Sequence, residues 1–309
     1  MPHLKFSGHQ SFSFRNSWLT KGVYYLNKYP DLFKRDDAMV ILGVGKNMVS
    51  SIRHWCTVFQ LISKQKVNMK NTDVITEIGD LLFINKNKIA WDPYLEDIGT
   101  LWLIHYLYVT NESYYTTAYY VYNYLSSSHF TRNELAYQLQ ALSNKLGVKI
   151  SPNTISRDIN TFIHTYVGSM YDGNERDYED SLGCPLKELG LVSHNLGEDL
   201  FFIDRSSKNT LPAGIFLFAL QDFIKELNQK TISVEELYYS PRSPGRVFRL
   251  DETSFIERLE KIEESSNSKL VLSETAGIRQ LFINKQEYPI NYLTNYYNQM
   301  VGGNNNAIR

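Results

Sequence analysis

The chain has 309 residues, of which 43% are hydrophobic and 21% charged. This composition excludes disorder as the dominant state and supplies apolar material for two or three packed domains. A net charge of −1 excludes a uniformly basic coat, yet residues 1–70 carry 11 basic and 3 acidic side chains, a balance of +8, against −9 in the other 239. Asymmetry of this kind points to a polyanion partner at the N-terminal end, with a solvated lysine-rich face as the alternative.

The first expected domain covers residues 1–92. It opens on Gly8-His9-Gln10-Ser11-Phe12 with Arg15 and Trp18. Two readings stay open there: His9, Gln10 and Arg15 contact phosphate or base, or the aromatic residues anchor a tail whose polar groups cap backbone. Residues 37–42 read as a short helix, broken by Gly43-Val44-Gly45, since glycine supplies the turn. A longer helix follows from 46 to about 62, with Val49, Ile52, Cys56 and Phe59 at helical spacing. Helix, glycine turn and longer helix form a helix-turn-helix pattern. Lys46, Asn47, Ser50, Arg53 and His54 belong to its outward face. The runs Leu81–Ile84 and Ile89–Trp91, split by Asn85–Lys88, suit a hairpin within 67–91.

The second expected domain covers 93–210. Asp92-Pro93 opens a helix to about Val109. The tyrosine-rich stretch 114–124 packs between units or stacks on unpaired bases. Thr131-Arg132-Asn133-Glu134 is a capping box for a helix ending at Gly147. Ser151-Pro152 starts another, with serine as N-cap and proline in the first turn. Ile155, Ile159, Phe162 and Ile163 form its buried stripe, leaving Asn153, Thr154, Ser156, Arg157 and Asn160 as DNA-facing candidates. Residues 191–193 and 200–204 flank a hairpin turn.

The third expected domain covers 211–290, with a tail at 291–309 whose stretch 302–306 is expected to be disordered. A helix spans 213–228, and Ser233-Val234-Glu235-Glu236 is another capping box. Arg242, Arg246 and Arg249 lie in a Pro-Gly loop, either to bind an anion or to pair with nearby acids. Asp251 caps a helix to Glu264 that exposes Glu257, Glu260, Glu263 and Glu264, a face that repels phosphate. Strands follow at 270–273 and 280–284. The fold class expected is mainly α with small β-hairpins (α+β), arranged as tandem winged-helix-like units.

Lys and Arg pair with phosphate or guanine, Asn with adenine, and Ser or Thr with either base edges or phosphate. Two such helix faces and a +8 module therefore point to double-stranded DNA. Gly43-Val44-Gly45-Lys46 lacks the GxxxxGK[ST] spacing of a phosphate loop. The seven histidines show no HxH or HExxH pattern, so no metal is expected. Cys56 falls on an apolar face; Cys184 sits in a turn. No nucleophile elbow, paired-carboxylate motif or dinucleotide fingerprint is present, so no catalytic residue, cofactor or enzymatic activity is expected. The N-terminus has no signal-peptide core and the apolar run 98–109 is short of the roughly 20 residues a span needs, so a cytoplasmic protein without membrane contact is expected.

Four motifs carry a resemblance. They are Gly8-His9-Gln10-Ser11-Phe12 with Arg15, Leu42-Gly43-Val44-Gly45-Lys46-Asn47-Met48-Val49, Glu179-Asp180-Ser181-Leu182-Gly183-Cys184-Pro185-Leu186, and Ser240-Pro241-Arg242-Ser243-Pro244-Gly245-Arg246-Val247-Phe248. Together they resemble, over nearly the whole chain, a bacterial family of about this length described only as a domain of unknown function. Genes of that family tend to lie in anti-phage islands, beside genes resembling phosphoadenosine-phosphosulfate reductases and cysteine desulfurases of DNA phosphorothioation systems. The resemblance implies a DNA-modification or defence setting and protein partners from such a system. It supplies no catalytic residues. The function expected is a non-enzymatic DNA-binding component, the alternatives being a protein-interaction adaptor or an RNA-binding module.

Overall fold

The computed structural model describes residues 4–67, 69–86, 88–114, 116–167, 184–195, 197–266, 268–275 and 277–304. The chain forms two compact units. The first comprises Met1–Val121 and Leu125–Asp204, the second Tyr122–Tyr124 and Arg205–Arg309. The architecture is mainly α with small antiparallel sheets of two or three strands.

Unit 1 begins with α1 (Asn16–Lys28), α2 (Ala38–Leu42) and α3 (Lys46–Val58). Gly43, at φ 64°, ends α2 in the left-handed conformation that a glycine adopts without a Cβ penalty. Ile52, Trp55 and Cys56 of α3 are buried with Trp18, Leu19 and Val23 of the neighbouring α1. The helix stops at Val58, not at 62, because Gln60 turns the chain at φ 58°. Strands β1 (Ile62–Val67) and β2 (Lys70–Ile75) then pair antiparallel, with Ile62 opposite Ile75 and Val67 opposite Lys70. The hairpin expected within 67–91 is therefore displaced toward the N-terminus. Leu81–Phe83 instead end α4 (Glu77–Phe83), whose N-cap Thr76 accepts a hydrogen bond from Gly79 N at 3.2 Å. A four-residue apolar run has no period of its own, and the cap decides between strand and helix.

Helix α5 (Ile98–Thr110) starts later than Asp92-Pro93 implies. Asp92 accepts from the Glu96 and Asp97 backbone N–H groups at 2.9 and 3.1 Å and so closes a turn, while Asp97 caps the helix through Thr100 N at 2.9 Å. Nearly every residue of α5 is buried, His105 included. Within α6 (Thr117–Asn123), Tyr119 and Tyr122 are buried, which takes both rings away from solvent. After β3 (His129–Phe130), the capping box at Thr131 and Glu134 starts α7 (Arg132–Lys145). Ser151 caps α8 (Pro152–Tyr166) as its sequence indicates. Strands β4 (Val192–His194) and β5 (Phe201–Ile203) complete an antiparallel sheet of order β3-β5-β4.

Unit 2 holds α9 (Ala213–Leu227), β6 (Thr231–Ser233), α10 (Val234–Tyr239), α11 (Pro244–Val247), α12 (Glu252–Ser265), β7 (Leu270–Thr275), β8 (Ile278–Ile283) and α13 (Pro289–Asn304). Its sheet order, β6-β8-β7, repeats that of unit 1: first strand, third, second. Phe216, Leu220, Phe248, Phe255, Leu259 and Leu281 are fully buried here. Residues 291–304, read as tail from sequence, belong to α13, which packs on α9. Of the stretch expected to be disordered, 302–304 are helical and the rest lies outside the described residues.

Candidate nucleic-acid interface

The loop at Gly8–Phe12 is built around one imidazole. Ser11 N–H donates to His9 Nδ1 at 3.0 Å, which places the ring proton on Nε2. That nitrogen lies 3.1 Å from Asp158 Oδ1, and both side chains are almost fully buried. The other oxygen of Asp158 accepts from Thr117 N at 2.9 Å and Thr117 Oγ1 at 2.6 Å. Thr161 Oγ1 lies 3.1 Å from His9 Nδ1. From α3, Ser51 Oγ donates to the His9 carbonyl and Trp55 Nε1 to the Phe12 carbonyl at 3.2 Å. The loop thus ties α3 to α8, and Asp158 ties α8 to the start of α6. Each of these buried polar groups has a partner, which is the condition for burying it at low cost.

This corrects part of the expected contact set. His9 is buried and spent on Asp158, so it does not face a groove. His54 is also buried, because the N-terminal loop lies over it: a Cβ built on Gly8 would stand 2.5 Å from His54 Nδ1. Gly8 has φ 127°, so Gly8→Ala adds backbone strain to that clash. Each effect costs about 1–3 kcal/mol, and a lowered urea midpoint would report their sum. Burial, with the His9 ring adding to it, pushes the His54 imidazole down to about 3. Its unfolded value is near 6.5, so its contribution to stability is complete above that pH and is lost as the pH falls toward 3. Unfolding at pH 7.5 and pH 5 should show a loss of about 2 kcal/mol from this group, absent in His54→Phe.

The remaining residues of the α3 face are accessible. Lys46, Asn47 and Ser50 are exposed, and Arg53 is about a third exposed. Arg53 Nη2 pairs with Asp73 of β2 at 2.9 Å, and Asp73 is nearly buried. Beside this face lies a pocket of about 310 Å³. Its lining includes Lys5, Gln10, Ser50, Arg53, Lys64 and Tyr114, with no carboxylate among the described lining residues. Lys5 stands over the Tyr114 ring, 3.8 Å from its centroid. Burial, and then the Lys64 ammonium, hold the Lys5 amine below the ordinary lysine range. Helix patterning does not single out Lys5 or Lys64, for which the +8 balance of residues 1–70 is the sequence signal; Tyr114 opens the tyrosine-rich stretch for which stacking on unpaired bases is one expected role.

On α8, Asn153, Ser156 and Arg157 are exposed, while Thr154 is half-buried, its Oγ1 2.8 Å from the Ser151 hydroxyl. Asn160 accepts from Arg132 Nε at 3.1 Å, and Arg132 pairs with Asp199. Arg15 lies over the Phe12 and Trp18 rings, 5.9 and 5.4 Å from their centroids. In unit 2, Arg242 pairs with Glu226 and donates its backbone N–H to Asn123 Oδ1 at 2.6 Å. Arg246 Nε donates to the Asn123 carbonyl at 2.7 Å. Arg249 is 3% exposed, below the Tyr122 ring, out of reach of a surface anion. The α12 face presents Glu257, Glu260 and Glu264 to solvent, while Glu263 accepts from Leu272 N at 3.0 Å.

Burial pushes the Cys184 thiol up to about 12 and raises Cys56 further, so neither is a ready nucleophile. Among the described residues no group of three or more His, Cys, Asp or Glu side chains is placed to hold a metal, and no helix is long and apolar enough to cross a membrane.

The family described as Protein of unknown function (DUF4007) matches residues 6–297. The chain belongs to that family. DUF4007 thus spans both units, including all three motifs that fall on described residues. Residues 168–183, which carry the first part of the Glu179–Leu186 motif, lie outside the described set. Two solved structures are similar to the chain. A magnesium ion-bound SspB crystal structure is 28% identical, with a TM-score of 0.86, covering 96% of this chain and 88% of that one. An SspB crystal structure is also 28% identical, with a TM-score of 0.84 and the same coverage. No curated protein matches.

Proposed function

We propose that this DUF4007 chain is a non-catalytic, duplex-DNA-binding component of a DNA-modification or anti-phage system of the phosphorothioation type. The observation that carries the reading is the carboxylate-free pocket with Lys5, Arg53 and Lys64, set beside the exposed Lys46, Asn47 and Ser50. Lysine and arginine neutralise backbone phosphates, and Asn and Ser read base edges or add phosphate contacts. Arg157 and Asn153 on α8 extend this set within the same unit.

The strand order shared by the two three-stranded sheets, first strand, third, second, with helices between the first and second strands, is that of a winged helix and supports the winged-helix reading. The system-level part rests on the resemblance of the four motifs and on the likeness to SspB. One SspB structure carries a magnesium ion; the described residues gather no three-ligand set for it, and the contacts proposed need no metal. A partner protein of the same system would meet unit 2, whose α12 face repels DNA. Of the alternatives, stacking of RNA on the tyrosine stretch is disfavoured at Tyr119 and Tyr122, which are buried.

A gel-shift salt series tests the reading. Phosphate contacts require log affinity to fall linearly with log salt, by about 0.9 per contact. Four or more contacts would give a slope of about −3.6 or steeper. Absence of any shift at 50 mM salt on duplexes of varied sequence would end the proposal.

A further inference from the structure

The pocket beside α3 is built for more than a backbone phosphate passing over a surface. Three cations line it, and Asp73 is already committed to Arg53. Lys5 and Lys64 therefore face the same space as like charges, and burial plus that repulsion lowers the proton affinity of Lys5. An anion between them relieves both costs, since it supplies the opposite charge that favours the protonated amine. The volume, about 310 Å³, reaches the range of small-molecule sites, roughly 300–1,000 Å³, and exceeds what one phosphate fills. Aromatic walls come from Phe33 and Tyr114. A second concavity of about 570 Å³ shares Lys5, Lys64 and Tyr114 and adds apolar lining from Ile78 and Leu107. Lysine and arginine side chains, a tyrosine ring and adjoining apolar side chains together match the two ends of a nucleotide.

We propose that this pocket takes one unstacked nucleotide, its phosphate between Lys5, Arg53 and Lys64 and its base against Tyr114. The inference deepens the DNA reading and rests on it for the source of the nucleotide. A strand can deliver one where a base is extrahelical; a free mononucleotide has the same chemistry. Base–aromatic stacking is tolerant of sequence because every base has a π-face, so no single base is favoured strongly.

The test uses the full chain, fluorescence anisotropy with labelled hairpin duplexes, and calorimetry with dAMP and with inorganic phosphate. A duplex bearing one extrahelical nucleotide should bind at least about fivefold more tightly than its fully paired counterpart. Tyr114→Ala should abolish that preference and leave the paired duplex unaffected, while Tyr114→Phe, which keeps the ring, should retain it. Lys5→Ala with Lys64→Ala should remove dAMP binding while circular dichroism reports an intact fold. Equal affinity for bulged and paired duplexes, with no dAMP binding, overturns the inference while the DNA reading stands. Inorganic phosphate binding as tightly as dAMP also overturns it, because the base then contributes nothing. Lys5-dependent dAMP binding without any DNA binding supports the pocket and instead removes the DNA reading.

Discussion

Asp158→Ala is expected to destabilise unit 1 by about 3–5 kcal/mol, the cost of leaving three buried donors without their acceptor. The carboxylate accepts from His9 Nε2, Thr117 N and Thr117 Oγ1, and it is 4% exposed. Without it three donors stay buried with no acceptor, and water cannot reach them without opening the loop at Gly8–Phe12. At about 2–4 °C per kcal/mol for a body of this size, the unfolding midpoint of unit 1 should drop by about 6–20 °C. Asp158→Asn keeps one acceptor oxygen and should recover part of the loss. A shift of only a degree or two for the alanine variant would show that the carboxylate does not hold α3, α6 and α8 together.

The second large effect is on DNA affinity. Lys46→Glu with Lys64→Glu should weaken duplex binding about hundredfold at 0.1 M salt and flatten the salt slope by about 1.8, as two lost phosphate contacts require. Both side chains are exposed and neither has a salt bridge among the described residues, so folding should be unchanged. Arg53→Glu is the less informative variant, since it would set a second carboxylate against the nearly buried Asp73. Arg157→Glu probes α8 separately. Binding that survives the Lys46 and Lys64 reversal but not Arg157→Glu would move the interface to α8. Binding indifferent to all three would favour a protein-docking role for the chain.

Much of the local structure was legible because it is encoded locally. Thr131 and Glu134 form the capping box their spacing indicates, Ser151 caps α8 with proline in its first turn, and Gly43 ends α2. Each is a backbone requirement met by a residue within three positions. The β1–β2 hairpin is not legible in the sequence because Lys64, Gln65 and Lys66 carry no apolar alternation; the strand is held by register with β2 and by the end of α3. Asp92-Pro93 resembled a helix start, and the structure uses Asp92 one turn earlier than the true cap, Asp97.

The candidate site was legible only in part. A helical wheel places Lys46, Ser50, Arg53 and His54 on one face, and it is correct about the helix. It cannot show that Gly8 lies on His54, 46 residues away, or that His9 meets Asp158 across 149. Sequence by itself determined the α-rich class, the caps, and the concentration of positive charge in the first 70 residues, because these follow from composition and from neighbours within one helical turn. Tertiary structure alone decided which of those polar residues face solvent. It buried His9 and His54, paired Arg53 with Asp73, and brought Lys5, Lys64 and Tyr114 to one pocket. The physical reason is that burial and pairing depend on contacts between segments far apart in the chain, and net charge carries no record of where those segments meet.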